Sequence, residues 1–179
     1  FVIGILVSFS NKFAANFNIT EKIDSGKSVM YAYVAISIGD ILVGLLSQYL
    51  RSRKKALYVF YALSIIAMFI YFTQLYNSTA ANLYWVCAML GFATGFWAIF
   101  VTMAAEQFGT NLRATVATTV PNMVRGSLVL TTILFTSLQT NLSYVQAGIA
   151  TGVIVMTIAI VAALFTKETF GKDLDYVEV

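Results

Sequence analysis

The chain has 179 residues, 59% of them hydrophobic and 11% charged, with a formal net charge of +3. A soluble domain carries about 25% charged residues, so this composition excludes an ordinary soluble domain, and its apolar residues fall in blocks of membrane length. Histidine is absent and Cys87 is the single cysteine, which argues against histidine or thiolate metal sites and a disulfide framework.

In chain order, the first apolar segment covers about 1–17. The second runs from Val29 to Leu50, the third from Ala56 to Leu75 and the fourth from Leu83 to Ala105. The fifth runs from Val116 to Leu138 and the sixth from Tyr144 to Phe165. The last five are each about 20 residues long, enough for a helix to cross ~30 Å of hydrocarbon. Alternating strands of ~10 residues, the mark of a membrane barrel, are missing. The expectation is an all-α, polytopic transmembrane helix bundle of about six helices. Phe1 opens inside an apolar run with no basic leader. The first helix is therefore read as cut short, and the chain as part of a longer polypeptide whose N-terminal half is missing.

Orientation follows from the cations. Arg51, Arg53, Lys54, Lys55, Arg113, Lys167 and Lys172 fall on one side of the spans. Lys22 and Lys27 fall on the other, offset by Glu21 and Asp24. The first side is cytoplasmic by the positive-inside rule, and so is the tail 166–179. This is a membrane distribution of positive charge, not that of a nucleic-acid partner; the implied partner is the lipid bilayer, with the cytoplasmic membrane as location. Ser143 and Gln146 form a sequence-level capping box at the start of the sixth helix. Asn18, Asn77 and Asn141 each begin an Asn-x-Ser/Thr triplet on the outer side. Glycosylation and turn chemistry both account for these.

Charges inside the spans are few and expensive, and such residues usually face a cavity or a partner. Asp40 lies mid-way along the second segment, Arg125 mid-way along the fifth, and Lys12, beside Asn11, in the outer half of the first. The third and sixth segments carry no charge, so they are free to face lipid all round. Helical spacing places Tyr33, Ser37, Asp40, Gly44 and Ser47 on one stripe. Thr118, Asn122, Arg125, Thr132 and Thr136 form a second. Two such stripes can line a water-filled cavity. Arg125 suits a carboxylate or phosphate, and Asp40 suits proton carriage. A structural ion pair or bonds to backbone carbonyls explain the same two residues. Lys12 can equally snorkel to the interface. On the fourth segment Gly91, Gly95, Ala98, Thr102 and Ala105 share a face, as a packing seam or a substrate path. Pro121, one turn before Arg125, can kink the fifth helix.

Three motifs carry a resemblance. Gly44 to Lys55, GLLSQYLRSRKK, is a short basic stretch between two spans, with Gly44 and Arg53 at the first and last positions of the pattern Gly-x-x-x-Asp-Arg-x-Gly-Arg-Arg/Lys. Glu106-Gln-Phe-Gly-Thr-Asn-Leu-Arg113-Ala-Thr is similar to Glu-x-Phe-Pro-Thr-x-x-Arg-Ala-Thr, with Gly109 in the proline place. Lys167-Glu-Thr-Phe-Gly-Lys-Asp-Leu-Asp-Tyr-Val-Glu178 is similar to Pro-Glu-Thr-Lys-Gly-Lys-x-Leu-Glu-Glu. Together they resemble the C-terminal half of a major facilitator superfamily transporter, near the sugar and organic-ion porter branch. The likeness spans essentially the whole chain as one six-helix half built of two inverted three-helix units, residues 1–165, followed by a cytoplasmic tail.

The resemblance implies a secondary active transporter, not an enzyme, with no cofactor. It works by alternating access as a symporter or exchanger. It implies that Glu106 and Arg113 join Arg53 or its neighbours Arg51, Lys54 and Lys55 in a cytoplasmic charge network. Substrate would bind between this half and the missing N-terminal half. A small anionic or zwitterionic metabolite, coupled to protons, would be held by Arg125 with Asn122 and Asn11 nearby. Ser8-Phe-Ser-Asn-Lys12 stands where sugar porters carry glutamines, which disfavours sugar. Two other readings stay open: a non-transporting membrane receptor or scaffold, and a stand-alone half that must dimerise.

Overall fold

The computed structural model describes residues 1–172 and 177, and the description below concerns these. Their regular structure is all helix, without strands. A π-helical turn, Val2–Val7, leads to α1 (Ser10–Asn16), α2 (Ser25–Tyr49), α3 (Arg53–Thr73) and α4 (Ala80–Ala93). Then follow α5 (Trp97–Glu106), α6 (Thr110–Leu138) and α7 (Tyr144–Phe165).

Capping chemistry explains where the helices begin, and why several start before their apolar runs. Asp24 Oδ1 accepts the Gly26 N–H at 2.8 Å and starts α2 a turn ahead of Val29. Ser52 Oγ accepts the Lys55 N–H at 3.1 Å, so Arg53, Lys54 and Lys55 form the first turn of α3 instead of a loop. Thr79 caps α4. The capping box at α7 is complete: Gln146 N–H donates to Ser143 Oγ at 3.3 Å and Ser143 N–H to Gln146 Oε1 at 3.1 Å. Each such cap satisfies amides that the helix leaves without partners. Asn18 and Asn77 adopt left-handed backbone, φ 56° and 53°, which asparagine tolerates in turns.

Among the described residues four helices are long and apolar enough to cross a membrane: Ser25–Tyr49, Arg53–Thr73, Ala80–Glu106 and Tyr144–Phe165. The chain therefore reads as a membrane protein. The first and fifth expected segments differ from that picture for separate reasons. The first is interrupted at Ser8 and Phe9, between the π-helical turn and α1. The fifth forms α6, the longest helix, but its threonines, Asn122 and two arginines leave it less apolar than the four. The fourth contains a break at 94–96 that separates α4 from α5.

Two hydrophobic cores lie at different levels of the bundle. One gathers Ile5 and Leu6 of the π-helical turn, Phe13 of α1, Tyr71 of α3 and Leu83 and Leu90 of α4. Aromatic edges organise it, with Phe13 against Tyr71 at 5.6 Å and Tyr144 at 4.7 Å between centroids. The Tyr71 hydroxyl donates to the Leu6 carbonyl at 3.0 Å, satisfying a backbone group in the irregular first segment. The other core gathers Val43 of α2, Leu57 and Phe60 of α3, Ile99 and Met103 of α5 and Ala163 of α7. α3 thus buries the stripe Ala56, Leu57, Phe60, Ser64, Ala67, Met68 and Tyr71. It does not face lipid all round; only its opposite side, with Ile66 and Phe69, is exposed.

Backbone contact between α2 and α4 sets the level of the break. A Cβ on Gly91 would lie 2.2 Å from the Ala32 carbonyl oxygen, and one on Gly95 2.7 Å from Gly39 Cα. Gly91 and Gly95 are therefore packing positions, while Ala98 and Thr102 of the same expected seam lie beyond the break and are not fully buried.

Candidate functional site

Charged and polar groups converge at two places. At one end of the bundle, where α2, α5 and α7 end and α3 begins, Arg53 and Glu106 form a two-pronged ion pair. Nη2 reaches Oε1 at 2.9 Å and Nε reaches Oε2 at 3.3 Å. The side chains are only 16% and 11% exposed. Arg53 Nη1 also donates to the buried Ser47 Oγ at 2.9 Å, which draws Ser47 out of the exposed stripe of α2. The Thr169 hydroxyl donates to Glu106 Oε2 at 2.6 Å, and the Phe170 ring lies 5.6 Å from the guanidinium.

Glu168 completes this clasp. Its carboxylate accepts the Ser52 hydroxyl and the backbone N–H groups of Arg53 at 2.9 Å and Lys54 at 3.2 Å. Burial alone would push this carboxyl up. The hydrogen bonds from Ser52 and from the Phe170, Arg53 and Lys54 amides outweigh it and hold the pKa down at about 2. The arrangement answers an electrostatic problem. Three cations open α3, where the helix dipole favours an anion, and Glu168 supplies one. Lys54 folds away to the Leu164 and Thr166 carbonyls, at 3.3 and 2.7 Å. The segment after α7 is thereby tied to the start of α3 and the end of α5. Arg51, with φ 47°, and Lys55 stay exposed beside it. Arg113 donates to the Phe108 carbonyl at 3.4 Å.

Sequence reasoning brought Arg53 and Glu106 to one network but assigned no role to Ser52, Glu168 or Thr169. The signal was present in Glu168-Thr169, the first carboxylate after the last apolar run and the hydroxyl beside it. The expected terminal motif continues past Lys172, and 173–176 and 178 lie outside the described residues.

The second place is the break in the fourth segment. Two of the groups freed there find partners on neighbouring helices. The Ser64 hydroxyl of α3 donates to the Ala93 carbonyl at 2.9 Å, and Asp40 Oδ1 of α2 accepts the Ala98 N–H at 3.0 Å. Asp40 thus caps the amino terminus of α5. Arg125 approaches α5 from α6: its guanidinium lies 5.5 Å from the Trp97 ring, with Nη1 at 3.5 Å from Asn122 Oδ1. α5 packs against both α2 and α6. Asp40 and Arg125 therefore address adjacent residues of one helix end and do not form an ion pair with each other.

No family model, curated protein or solved structure matches the chain.

The remaining predicted residues lie elsewhere. The Asn11 N–H sits 3.4 Å from Ser25 Oγ, at the start of α2, and Asn11 Oδ1 accepts the Lys12 N–H. Ser25 and Asp40 are fifteen residues apart on α2, or about 22 Å along a helix. The structure thus separates Asn11 from Asp40, and with it from the α5 terminus that Arg125 addresses. Lys12 is exposed, with its ammonium 5.2 Å from the Phe9 ring. Pro121 lies within α6, which runs unbroken through it.

Proposed function

We propose that this chain is the C-terminal half of a major-facilitator-like secondary active transporter, which moves a small anionic or zwitterionic metabolite by alternating access with proton coupling. The observation that carries the reading is the clasp. Three stretches far apart in sequence, each resembling a family motif, meet in one network: the start of α3, the end of α5 and the segment after α7. A network that ties helix ends at one face is what a gate needs, since it can be made in one state and broken in another.

In this reading the clasp end is cytoplasmic, the membrane is the plasma membrane, and six helices span it. α6 joins them because its Thr118, Asn122 and Arg125 stripe faces a water-filled path rather than lipid. The exposed stripes of α2 and α6 face the missing N-terminal half. Arg125 and Asn122 anchor the anionic group, Asp40 carries the proton, and Asn11 and Lys12 lie outside the anchor. The test is uptake by the complete polypeptide. Arg125→Ala at normal expression should lose at least tenfold in transport, the scale of one charge-assisted contact. Wild-type uptake by that variant would remove Arg125 from the site.

A further inference from the structure

We infer that the groove between α2 and α3 at the clasp end binds an anionic glycerophospholipid, with an acyl chain along the groove and the phosphate between Arg51 and Lys55. This site requires a chain that lies in a membrane and stands apart from the transport reading.

The groove has a volume of about 400 Å³ and is lined by aliphatic and aromatic side chains. Leu42, Leu45 and Tyr49 of α2 stand along one wall and Val59 of α3 along the other, all exposed. Buried Phe60, stacked on Phe92 at 5.8 Å, closes the floor. From Leu42 to Tyr49 the wall runs about 10 Å at 1.5 Å per residue, a length that takes part of one acyl chain. At 3.6 residues per turn, Leu42 and Tyr49 stand about 160–180° around α2 from Asp40. The groove therefore looks away from the polar stripe of α2, towards hydrocarbon.

Charge sets the headgroup end. Tyr49 is the last residue of α2, and an exposed tyrosine suits the level where hydrocarbon gives way to headgroups. Four cations lie just beyond it. Arg53 is bound to Glu106, and Lys54 to the Leu164 and Thr166 carbonyls. Arg51 and Lys55 are exposed, and their side chains make no hydrogen bond or ion pair among the described residues. Lys55 precedes Val59 by four residues, so it stands one turn further along the same face of α3. Arg51 follows Tyr49 by two residues, in the turn that joins the two walls. Two uncommitted cations above an apolar groove complement a phospholipid, whose phosphate sits above its chains.

The backbone at Arg51 adds an independent observation. The Ser52 N–H donates to the Ser47 carbonyl and the Arg51 N–H to the Gln48 carbonyl, both at 3.2 Å. This pair of bonds closes α2 with residue 51 in left-handed backbone, φ 47°. Glycine takes that place without strain. Glycine also stands there in the pattern Gly-x-x-x-Asp-Arg-x-Gly-Arg-Arg/Lys that the stretch resembles, so the arginine is this chain's own departure from the motif. A side chain kept where the backbone disfavours it points to a role for that side chain. Its surroundings offer one, an anion at the mouth of the groove.

The experiment places the complete polypeptide in phosphatidylcholine nanodiscs that contain phosphatidylglycerol with a photoreactive acyl chain. Labelled peptides are mapped by mass spectrometry, and affinity is read from competition by unlabelled lipid. Label should fall on residues 42–49 and 59–63. Phosphatidylglycerol should compete about twenty-fold better than phosphatidylcholine, the product of two cations at about fivefold each. Arg51→Gly should lower that preference about fivefold while thermal stability holds or rises, because the variant relieves the turn. A purely structural Arg51 would shift stability and leave the preference alone. Lys55→Gln should also cost about fivefold, and Arg51→Lys should keep most of the preference. Lys22→Gln and Lys27→Gln, near the other end of α2, should change nothing. Label spread without preference over the apolar surface overturns the inference. So does a preference that survives Arg51→Gly combined with Lys55→Gln. Inorganic phosphate that competes as well as the lipid would assign the two cations to a free anion, and overturns it too. Uptake is not read, so this site and the transport reading fail separately.

Discussion

Removing either partner of the Arg53–Glu106 pair should destabilise the chain by about 3 kcal/mol, and removing both should destabilise it by no more than that. Breaking a buried ion pair costs ~3–5 kcal/mol because it strands a desolvated charge. The partial exposure of 16% and 11% places this pair at the lower end. Arg53→Met leaves Glu106 with the Thr169 hydroxyl alone; Glu106→Leu leaves Arg53 with Ser47 and the Phe170 ring. With both changed no charge is stranded. What is lost is the hydrogen bonds of Ser47 and Thr169, about 1 kcal/mol each. Single costs near 3 kcal/mol each and a double cost near 2–3 imply a coupling energy of about 3 kcal/mol. The assay is reversible unfolding in mixed micelles. Exposure of Cys87, buried in the other core, to a thiol reagent gives an independent readout. Coupling below about 1 kcal/mol, the value of a solvent-exposed pair, would refute the buried-clasp argument.

Gly91→Ala sets a methyl against the Ala32 backbone, which has no side-chain freedom to yield, so a loss of roughly 1–3 kcal/mol is expected. Gly126→Ala, with nothing within 4 Å, should be neutral or stabilise α6 by about 0.5–1 kcal/mol in the same unfolding assay. The Glu168 carboxyl is depressed to about 2 from an ordinary 4.5, so docking of the 166–170 segment is fully present above pH 4.5 and is lost as pH falls through about 2. Glu168 is exposed, and solvent screening holds the effect to about 1 kcal/mol. Glu168→Gln should release that segment to limited proteolysis at neutral pH by a several-fold rate increase. Cleavage at the wild-type rate would show that the carboxylate does not hold it.

Which parts of this were legible in the sequence follows from where the information lies. The capping box at Ser143 and Gln146 is a local pattern, complete within four residues, and the structure forms it. The meeting of Arg53 with Glu106 was readable only through motif resemblance, since no local rule links positions fifty-three apart. Glu168 escaped because its role depends on how far α7 carries the chain before it turns back to α3. Composition and apolar block length determined a helical membrane protein, because burying backbone in hydrocarbon leaves little choice but helices. Hydrophobicity per segment could not report that the fourth block breaks at 94–96, because every residue there is apolar, glycine or threonine. The break is supported from two other helices, where Ser64 and Asp40 satisfy two of the backbone groups it frees. The charge of Asp40 was visible in the sequence from the start. That it caps a neighbouring helix, and does not pair with Arg125, goes with the close approach of α2 at Gly39 to Phe92 of α4 and Gly95 of the break, a contact only the tertiary structure makes.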